Sequence, residues 1–356
     1  MRVLIVDDSA FMRRAISQML SEAPDIQVVG TARNGQEGVE MADRLEPDVI
    51  TMDVEMPVMD GLTALRHIVR KSSARVLMLS SLTVEDSRVA LQALRLGAAD
   101  VMAKDMSQVS LSITNIKQDL ITRVRALGAA RPRKLATTTP TRPPPGGDEP
   151  PVFRPGQFDL ICIASSTGGP PVLEEILSAL PATLVAPVVV AQHMPELFTR
   201  SMAQRLGEIC RLRVHHVADR MPMERQGIYI CPGGAHTHVH KVGLAKFELR
   251  VSADPVEAVY RPSADVLIGT AAAAAGSRVL AIVLTGIGED GLRGCRALHE
   301  QHGVILAQDQ ESCVVYGMPK AVTQSALATA SLAPAAIARS LCTLARPDAA
   351  QPRAVA

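Results

Sequence analysis

Short aliphatic runs return at intervals along the chain with amphipathic stretches between them, and this alternation limits the fold more than any single motif. Arg2 to Val6, Gln27 to Ala32, Asp48 to Met52, Arg75 to Leu79 and a weaker Asp100 to Met102 alternate with helical patterns near 9–22, 35–45, 61–71, 84–96 and 106–127. Strands buried on both faces read as continuous apolar runs, and parallel strands need a crossover, usually a helix. Five such repeats predict a five-stranded parallel α/β sheet covered on both sides.

The rhythm stops between Arg131 and Pro155, where Pro132, Pro140, Pro143, Pro144, Pro145, Pro150, Pro151 and Pro155 are interleaved with Thr and the pair Gly146-Gly147. Proline fixes φ and removes a donor, so an extended connector over 128–155 is expected between a domain at 1–127 and a second at 156–342. The rhythm resumes with Phe158 to Ala164, Pro187 to Ala191, Leu212 to His216 and Arg278 to Leu284. Gly227 to Cys231, His236 to His240 and Lys246 to Val251 read as shorter strands that include a hairpin, and the Ala271 to Ala275 run as a close-packed helix. The second domain is thus expected to be doubly wound α/β with a small hairpin addition, followed by a frayed tail at 343–356.

Composition narrows the function. Thirty-seven Lys plus Arg balance thirty-six Asp plus Glu, and aromatics make up 2% of the chain. Neither a basic footprint nor a stacking platform is present, so no nucleic-acid partner is expected. No apolar stretch approaches the ~20 residues that cross a bilayer, so no membrane insertion is expected. The first residues reach Asp7-Asp8 without a long apolar targeting region, and the six cysteines are widely spaced. A reducing cytoplasmic location is the expectation.

The first aliphatic run ends in Asp7-Asp8 and the third in Asp53, which places three carboxylates at the C-terminal edge of neighbouring parallel strands, where α/β sheets bind ligands. Carboxylates gathered there repel one another unless a hard cation joins them, and oxygen ligands suit Mg²⁺. Asp53 is the candidate nucleophile toward a phosphoryl group, with Asp7 and Asp8 as metal ligands beside it. Ser80, or by spacing alone Ser81, supplies a hydroxyl at the fourth strand end, and Lys104 a positive charge after the fifth. Val6-Asp7-Asp8-Ser9, Met52-Asp53-Val54-Glu55-Met56-Pro57-Val58-Met59-Asp60-Gly61 and Lys104 resemble the receiver domain of bacterial two-component response regulators. The resemblance implies a flavodoxin-like fold, phosphorylation at Asp53 with Mg²⁺ as cofactor, a histidine kinase as phosphodonor, and Ser80 and Lys104 as switch residues. Val101 stands where many receivers carry an aromatic residue, and Asp105 where a proline usually follows the lysine.

In the second half, Phe158 to Pro170 reads as a buried strand, a glycine turn and a helix start, with Ser166 at the sheet edge. Helix N–H groups there favour an oxyanion, although the same geometry can cradle a phosphate. A second strand ends in Gln192-His193-Met194-Pro195, and a third runs into Thr285-Gly286-Ile287-Gly288-Glu289-Asp290-Gly291. An alcohol attacks an ester poorly unless an imidazole takes its proton, and a carboxylate then steadies the imidazolium. Ser166 is therefore the candidate nucleophile, His193 the base then acid, and Asp290 the orienting group. Two rivals stay open: a nucleotide site at Thr167-Gly168-Gly169, which leaves His193 without a task, and a non-enzymatic output module that binds a receptor or DNA. His236, His238 and His240 alternate as zinc ligands can, but without an identified further ligand. Cys162 and Cys231 suggest inert thiols more than nucleophiles.

The ordered set Ala164-Ser165-Ser166-Thr167-Gly168-Gly169, Gln192-His193-Met194-Pro195, Cys231-Pro232-Gly233-Gly234-Ala235-His236, Leu284 to Gly291 and Tyr316-Gly317-Met318-Pro319 resembles the chemotaxis protein-glutamate methylesterases across both domains. The resemblance implies Ser166, His193 and Asp290 as catalytic residues, with Thr167, His236 and Ile287 as candidates for the site rim or oxyanion support. It also implies γ-glutamyl methyl esters on the cytoplasmic helices of chemoreceptors as substrate, deamidation of certain glutamines in some members, and no cofactor for hydrolysis. It further implies that the unphosphorylated receiver obstructs the catalytic face. Ser165 replaces the family's usual alanine, Ile287 its methionine, and His302-Gly303 its glycine pair.

Overall fold

A computed structural model describes residues 1–81, 83–104, 111–129 and 149–346. They form two compact units, one on each side of the segment 130–148. The expected connector falls mostly on that segment, and Asp105 also lies outside the described residues.

The first unit alternates strand and helix: β1 Arg2–Val6, α1 Ala10–Ser21, β2 Gln27–Ala32, α2 Gly35–Leu45, β3 Val49–Asp53, α3 Gly61–Lys71, β4 Arg75–Ser80, α4 Val84–Arg95, β5 Asp100–Ala103 and α5 Leu111–Ala129. The strands lie in the order β2-β1-β3-β4-β5, every pair parallel, as the alternation predicts. Four helices start where a side chain accepts an orphan N–H: Ser9 from Met12, Asn34 from Glu37, Asp60 from Thr63 and Thr83 from Asp86. Each cap is worth about 1 kcal/mol and fixes where the preceding strand-end loop stops. β3 is buried along its length, so the chain delivers Asp53 to the edge of the sheet without slack.

The second unit begins with β6 Leu160–Ser165, α6 Gly169–Ser178, β7 Val188–Gln192, α7 Glu196–Ile209 and β8 Arg213–His216. It continues through β9 Met221–Pro222, β10 Gly227–Ile230, β11 His236–Gly243, β12 Lys246–Ser252 and α8 Ala264–Ala275. It ends with β13 Val279–Val283, α9 Leu292–Glu300, β14 Val304–Gln308, α10 Met318–Gln324, β15 Ala330–Leu332 and α11 Pro334–Cys342. Seven strands form a parallel sheet in the order β15-β14-β13-β6-β7-β10-β8, with β11-β12-β9 as a separate antiparallel addition. From β6 the chain builds outward one way through β7 and the other way through β13, so β6 lies at the topological switch point. In sheets of this kind that is where ligands bind.

The core is aliphatic, from Leu160 and Val189 to Leu267 and Val283, with Tyr229 as its largest side chain. β9, β14 and β15 add to the strands expected from the sequence. β14 is a short apolar run that periodicity cannot tell from a buried helix, and β15 is too short to carry a pattern. The unit also reaches beyond 156 and 342. Phe153 is buried edge-on against Phe158, with ring centroids 5.1 Å apart, and its N–H donates to the Thr343 hydroxyl at 2.8 Å. Leu344 is buried and Ala345 pairs with Leu184, so residues 343–346 are a docked end, not a frayed one. No helix among the described residues is long and apolar enough to cross a membrane.

Candidate active site

β1 and β3 are neighbours, so Asp7, just past β1, and Asp53, the last residue of β3, come side by side. One oxygen from each of Asp7, Asp8 and Asp53 lies within 4.8 Å of the others, the only such group of three acidic, His or Cys residues among the described residues. Lys104 Nζ bridges Asp7 Oδ2 and Asp53 Oδ1, at 2.7 Å from each. Burial raises the pKa of Asp53, with the charge of Asp7 adding to it, and the Lys104 contact offsets this only in part. A cluster that still resists ionisation beside a lysine is one a divalent cation would relieve, and its all-oxygen donor set fits Mg²⁺. Ser80 is buried, with its hydroxyl directed at the carbonyls of Ser81 and Asp86 at 3.3 and 3.4 Å. The acids and Lys104 are therefore assembled, while the Ser80 hydroxyl is turned toward the start of α4. Val101 is buried on the edge strand β5.

In the second unit β13, β6 and β7 are consecutive in the sheet, and the loops that leave them carry Asp290, Ser166 and His193. Ser166 is held by its backbone: its N–H donates to Thr285 O at 3.0 Å, and its carbonyl accepts from Gly169 N and Gln192 Nε2, each at 2.9 Å. Gly168, at φ 76°, turns the chain from Ser166 into α6 in a conformation that side chains disfavour. Gly286 is required by proximity, since a Cβ there would stand 2.7 Å from Ser166 Cβ.

His193 Nε2 lies 2.8 Å from Asp290 Oδ2, with both side chains buried. A carboxylate only accepts, so Nε2 carries the hydrogen and a neutral ring has a bare Nδ1. That Nδ1 is buried without a hydrogen-bond partner. The link from the Ser166 hydroxyl to the imidazole is therefore open in this form, as in many sites without substrate. Asp290 is saturated: Oδ1 accepts from the Ser263 hydroxyl at 2.9 Å and from Asp265 N at 3.0 Å, and Oδ2 accepts from Ala264 N at 2.7 Å. Burial alone would raise its pKa, but the hydrogen bond and charge of His193 and the N–H groups at the start of α8 outweigh it and hold the carboxyl below its usual value.

Of the candidates for rim or oxyanion support, Ile287 is half-buried, whereas Thr167 is buried and its carbonyl accepts from the Thr285 hydroxyl at 3.0 Å. His236 does not line the rim: it is fully buried behind Asp290, and its Nδ1 accepts the Ser263 N–H at 3.2 Å. Its place at the first position of β11, beneath α8, removes it from the surface. The alternating histidines make no metal group among the described residues. Cys162 and Cys231 are buried free thiols whose pKa values burial pushes up, that of Cys231 to about 12, which leaves neither poised as a nucleophile.

Two residues go beyond the sequence reading. Tyr260 stacks on His193 with centroids 4.4 Å apart and planes 3° from parallel, and Ser263 caps α8 while it binds Asp290. Ser263, followed two residues later by Asp265 and then an apolar run, carries a legible helix-start signal. Tyr260 carries none beyond being one of three tyrosines.

Residues 161–341 match the family model for CheB methylesterase, and residues 3–114 that for the response regulator receiver domain. The protein-glutamate methylesterase/protein-glutamine glutaminase 1 of Oleidesulfovibrio alaskensis is 43% identical over 349 residues, which cover 92% of this chain and 94% of that protein. The corresponding protein of the group 1 operon of Pseudomonas putida is 40% identical over 356 residues, covering 92% and 95%. The crystal structure of the Thermotoga maritima CheB methylesterase catalytic domain superposes with a TM-score of 0.51 at 35% identity, over 52% of this chain and 98% of that one. With matches in both units and such relatives along nearly its whole length, the chain belongs to the CheB family, a methylesterase domain behind a response regulator receiver domain.

Proposed function

We propose that Ser166, His193 and Asp290 are the hydrolytic centre of a phosphorylation-regulated protein-glutamate methylesterase that demethylates γ-glutamyl methyl esters on the cytoplasmic helices of chemoreceptors. The observation that carries this reading is the imidazole of His193, tied through Nε2 to Asp290 and left with a bare, buried Nδ1 in the loop beside Ser166. Nδ1 takes the Ser166 proton as Oγ attacks the γ-carbonyl, and Asp290 steadies the imidazolium through Nε2. The negative tetrahedral oxygen is met by N–H groups near Thr167, directly after the nucleophile, and Ile287, directly after the glycine packed on it. Collapse passes the proton from Nδ1 to the leaving oxygen and frees methanol. Water, deprotonated by the same nitrogen, then cleaves the acyl-enzyme to a glutamate carboxylate and restores Ser166.

The same acyl-enzyme forms from a glutamine with ammonia as the leaving group, and both relatives named above carry a glutaminase activity in their names. Protein-glutamine deamidation is accordingly a second activity of this site.

In the receiver, Asp53 accepts the phosphoryl group from a histidine kinase. Asp7, Asp8 and Asp53 would hold Mg²⁺, which when bound neutralises charge on the phosphoryl oxygens. Lys104 and Ser80 follow the new oxygens, and the unphosphorylated receiver restrains the catalytic unit until then.

The test measures methanol release from methylated receptor by purified protein, with and without a small-molecule phosphodonor and Mg²⁺. Ser166→Ala abolishes release but leaves Asp53 phosphorylation intact, and Asp53→Asn keeps basal release without stimulation. Undiminished methanol from Ser166→Ala would sink the assignment.

A further inference from the structure

Asp290 is gripped by the first turn of α8, and Ser263 sets that turn. Its hydroxyl donates to Asp290 Oδ1 at 2.9 Å and accepts the Val266 N–H at 3.4 Å as the helix cap. The next two residues, Ala264 and Asp265, aim their N–H groups at the same carboxylate at 2.7 and 3.0 Å. All three donors move with the Ser263 backbone. The Ser263 N–H in turn donates to His236 Nδ1 at 3.2 Å, in a site where Ser263 is 3% and His236 0% exposed.

An N–H can only donate, so Nδ1 of His236 is unprotonated and the neutral ring carries its hydrogen on Nε2. Burial, then Arg261 and His238, push the His236 pKa down against the opposing Pro255 carbonyl and Asp290, and the net lowering favours that neutral form. Nε2 is buried, and the Pro255 carbonyl that interacts with the ring does not reach full hydrogen-bond geometry with it. A buried polar atom so weakly paired is a net cost, so a role in packing alone would be met better by an aliphatic side chain. What an aliphatic residue lacks is the acceptor beneath Ser263.

We propose that His236 is a positioning residue for Asp290: its Nδ1 fixes the Ser263 backbone, which aims one hydroxyl and two N–H groups at the carboxylate that orients His193. The proposal rests on the hydrolase reading of Ser166, His193 and Asp290. Asp290 keeps its charge and contacts only while this turn is in register, so loss of His236 is felt as a misaimed carboxylate and not as an empty substrate pocket.

The experiment compares His236→Leu, His236→Asn and His236→Gln in the full-length protein, by methanol release from methylated receptor with kcat per folded enzyme and KM separated, and by thermal unfolding. Asn offers an oxygen close to the position of Nδ1, whereas the longer Gln places its amide near Nε2. Outright loss of a triad carboxylate costs about 10⁴ in turnover, so partial misaiming in the Leu and Gln variants is expected to lower kcat by roughly 10²-fold with KM within about threefold. Asn is expected to recover most of that loss. Residues that act as one unit are not additive, so His236→Leu added to Asp290→Asn is expected to slow the enzyme no further. A kcat for the Leu variant within about twofold of the parent, or a fully additive double variant, would overturn the proposal. Where the Leu variant does not fold, the Asn–Gln pair decides, and equal kcat values for the two would overturn it as well. Ser166→Ala is run alongside: methanol release by that variant defeats the hydrolase reading itself, whereas an inactive Ser166→Ala with an unimpaired His236→Leu defeats only the role of His236.

Discussion

Asp290 stays ionised in the interior because every lone pair facing the protein has a donor: His193, Ser263 and the N–H groups of Ala264 and Asp265. Asp290→Asn keeps the shape but removes the charge and favours the wrong tautomer of His193. Methanol release is expected to fall by about 10⁴-fold, as when a triad carboxylate becomes an amide elsewhere. The lowered pKa also fixes a sign. Its contribution to stability is complete above the unfolded value of 3.8 and disappears as pH falls through the lower folded value. Thermal unfolding against pH should show a steeper acid limb in the parent than in Asp290→Asn, and equal steepness in the two would refute the account. Asp53 has the opposite sign, since its raised pKa makes its contribution decline as pH rises through and above 3.8. That Ser166, His193 and Asp290 come to one sheet edge is legible in the sequence, because each lies just beyond an apolar run or within a glycine-marked loop. Tyr260 and His236 were not legible in their places, because stacking on a ring and burial beneath a helix depend on how β11 and α8 pack, which no local pattern encodes.

At the scale of elements, the receiver follows its sequence closely because each helix start carries its own signal, as Ser9, Asn34, Asp60 and Thr83 show. The loop between β3 and α3 contains what those signals could not reveal. Val58 there has φ 68° and is 86% exposed, a β-branched residue in the left-handed region with almost no burial to offset the strain. The Met59 N–H donates to the Pro57 carbonyl at 2.8 Å, so Val58 is the centre of a γ-turn, and that closure holds its φ positive. Backbone strain of this kind costs a residue with a side chain about 1–3 kcal/mol, and glycine escapes most of it. Val58→Gly is therefore expected to stabilise the receiver by about 1 kcal/mol, seen as a higher midpoint for its calorimetric transition. An unchanged or lower midpoint would show that the strain is relieved in another way. β14 and β15 were missed for a different reason: a buried parallel strand of three to five residues has no alternation to read, and its identity comes from the neighbour it pairs with.

At the scale of the whole molecule, the described residues form two compact units, and the proposed control of one by the other is a coupling between separately packed domains. The boundaries of the catalytic unit follow from packing. Phe153 and Leu344 are buried, and the Arg346 N–H donates to the Thr183 carbonyl at 3.2 Å, so an intact fragment spans 149–346 and one cut at 342 strips away part of its own core. If the unphosphorylated receiver restrains hydrolysis, its removal should act as phosphorylation does. The 149–346 fragment is then expected to release methanol faster than the unphosphorylated full chain, by between about 5- and 150-fold, the range spanned by couplings of 1–3 kcal/mol. It should also be indifferent to phosphodonor and Mg²⁺, because the acids that take them are absent. A fragment no faster than the resting full chain would mean that phosphorylation activates by adding a favourable contact and not by lifting an obstruction. The distinction is physical: relief of inhibition needs only that the two units part, whereas positive activation needs a new interface that the fragment cannot form.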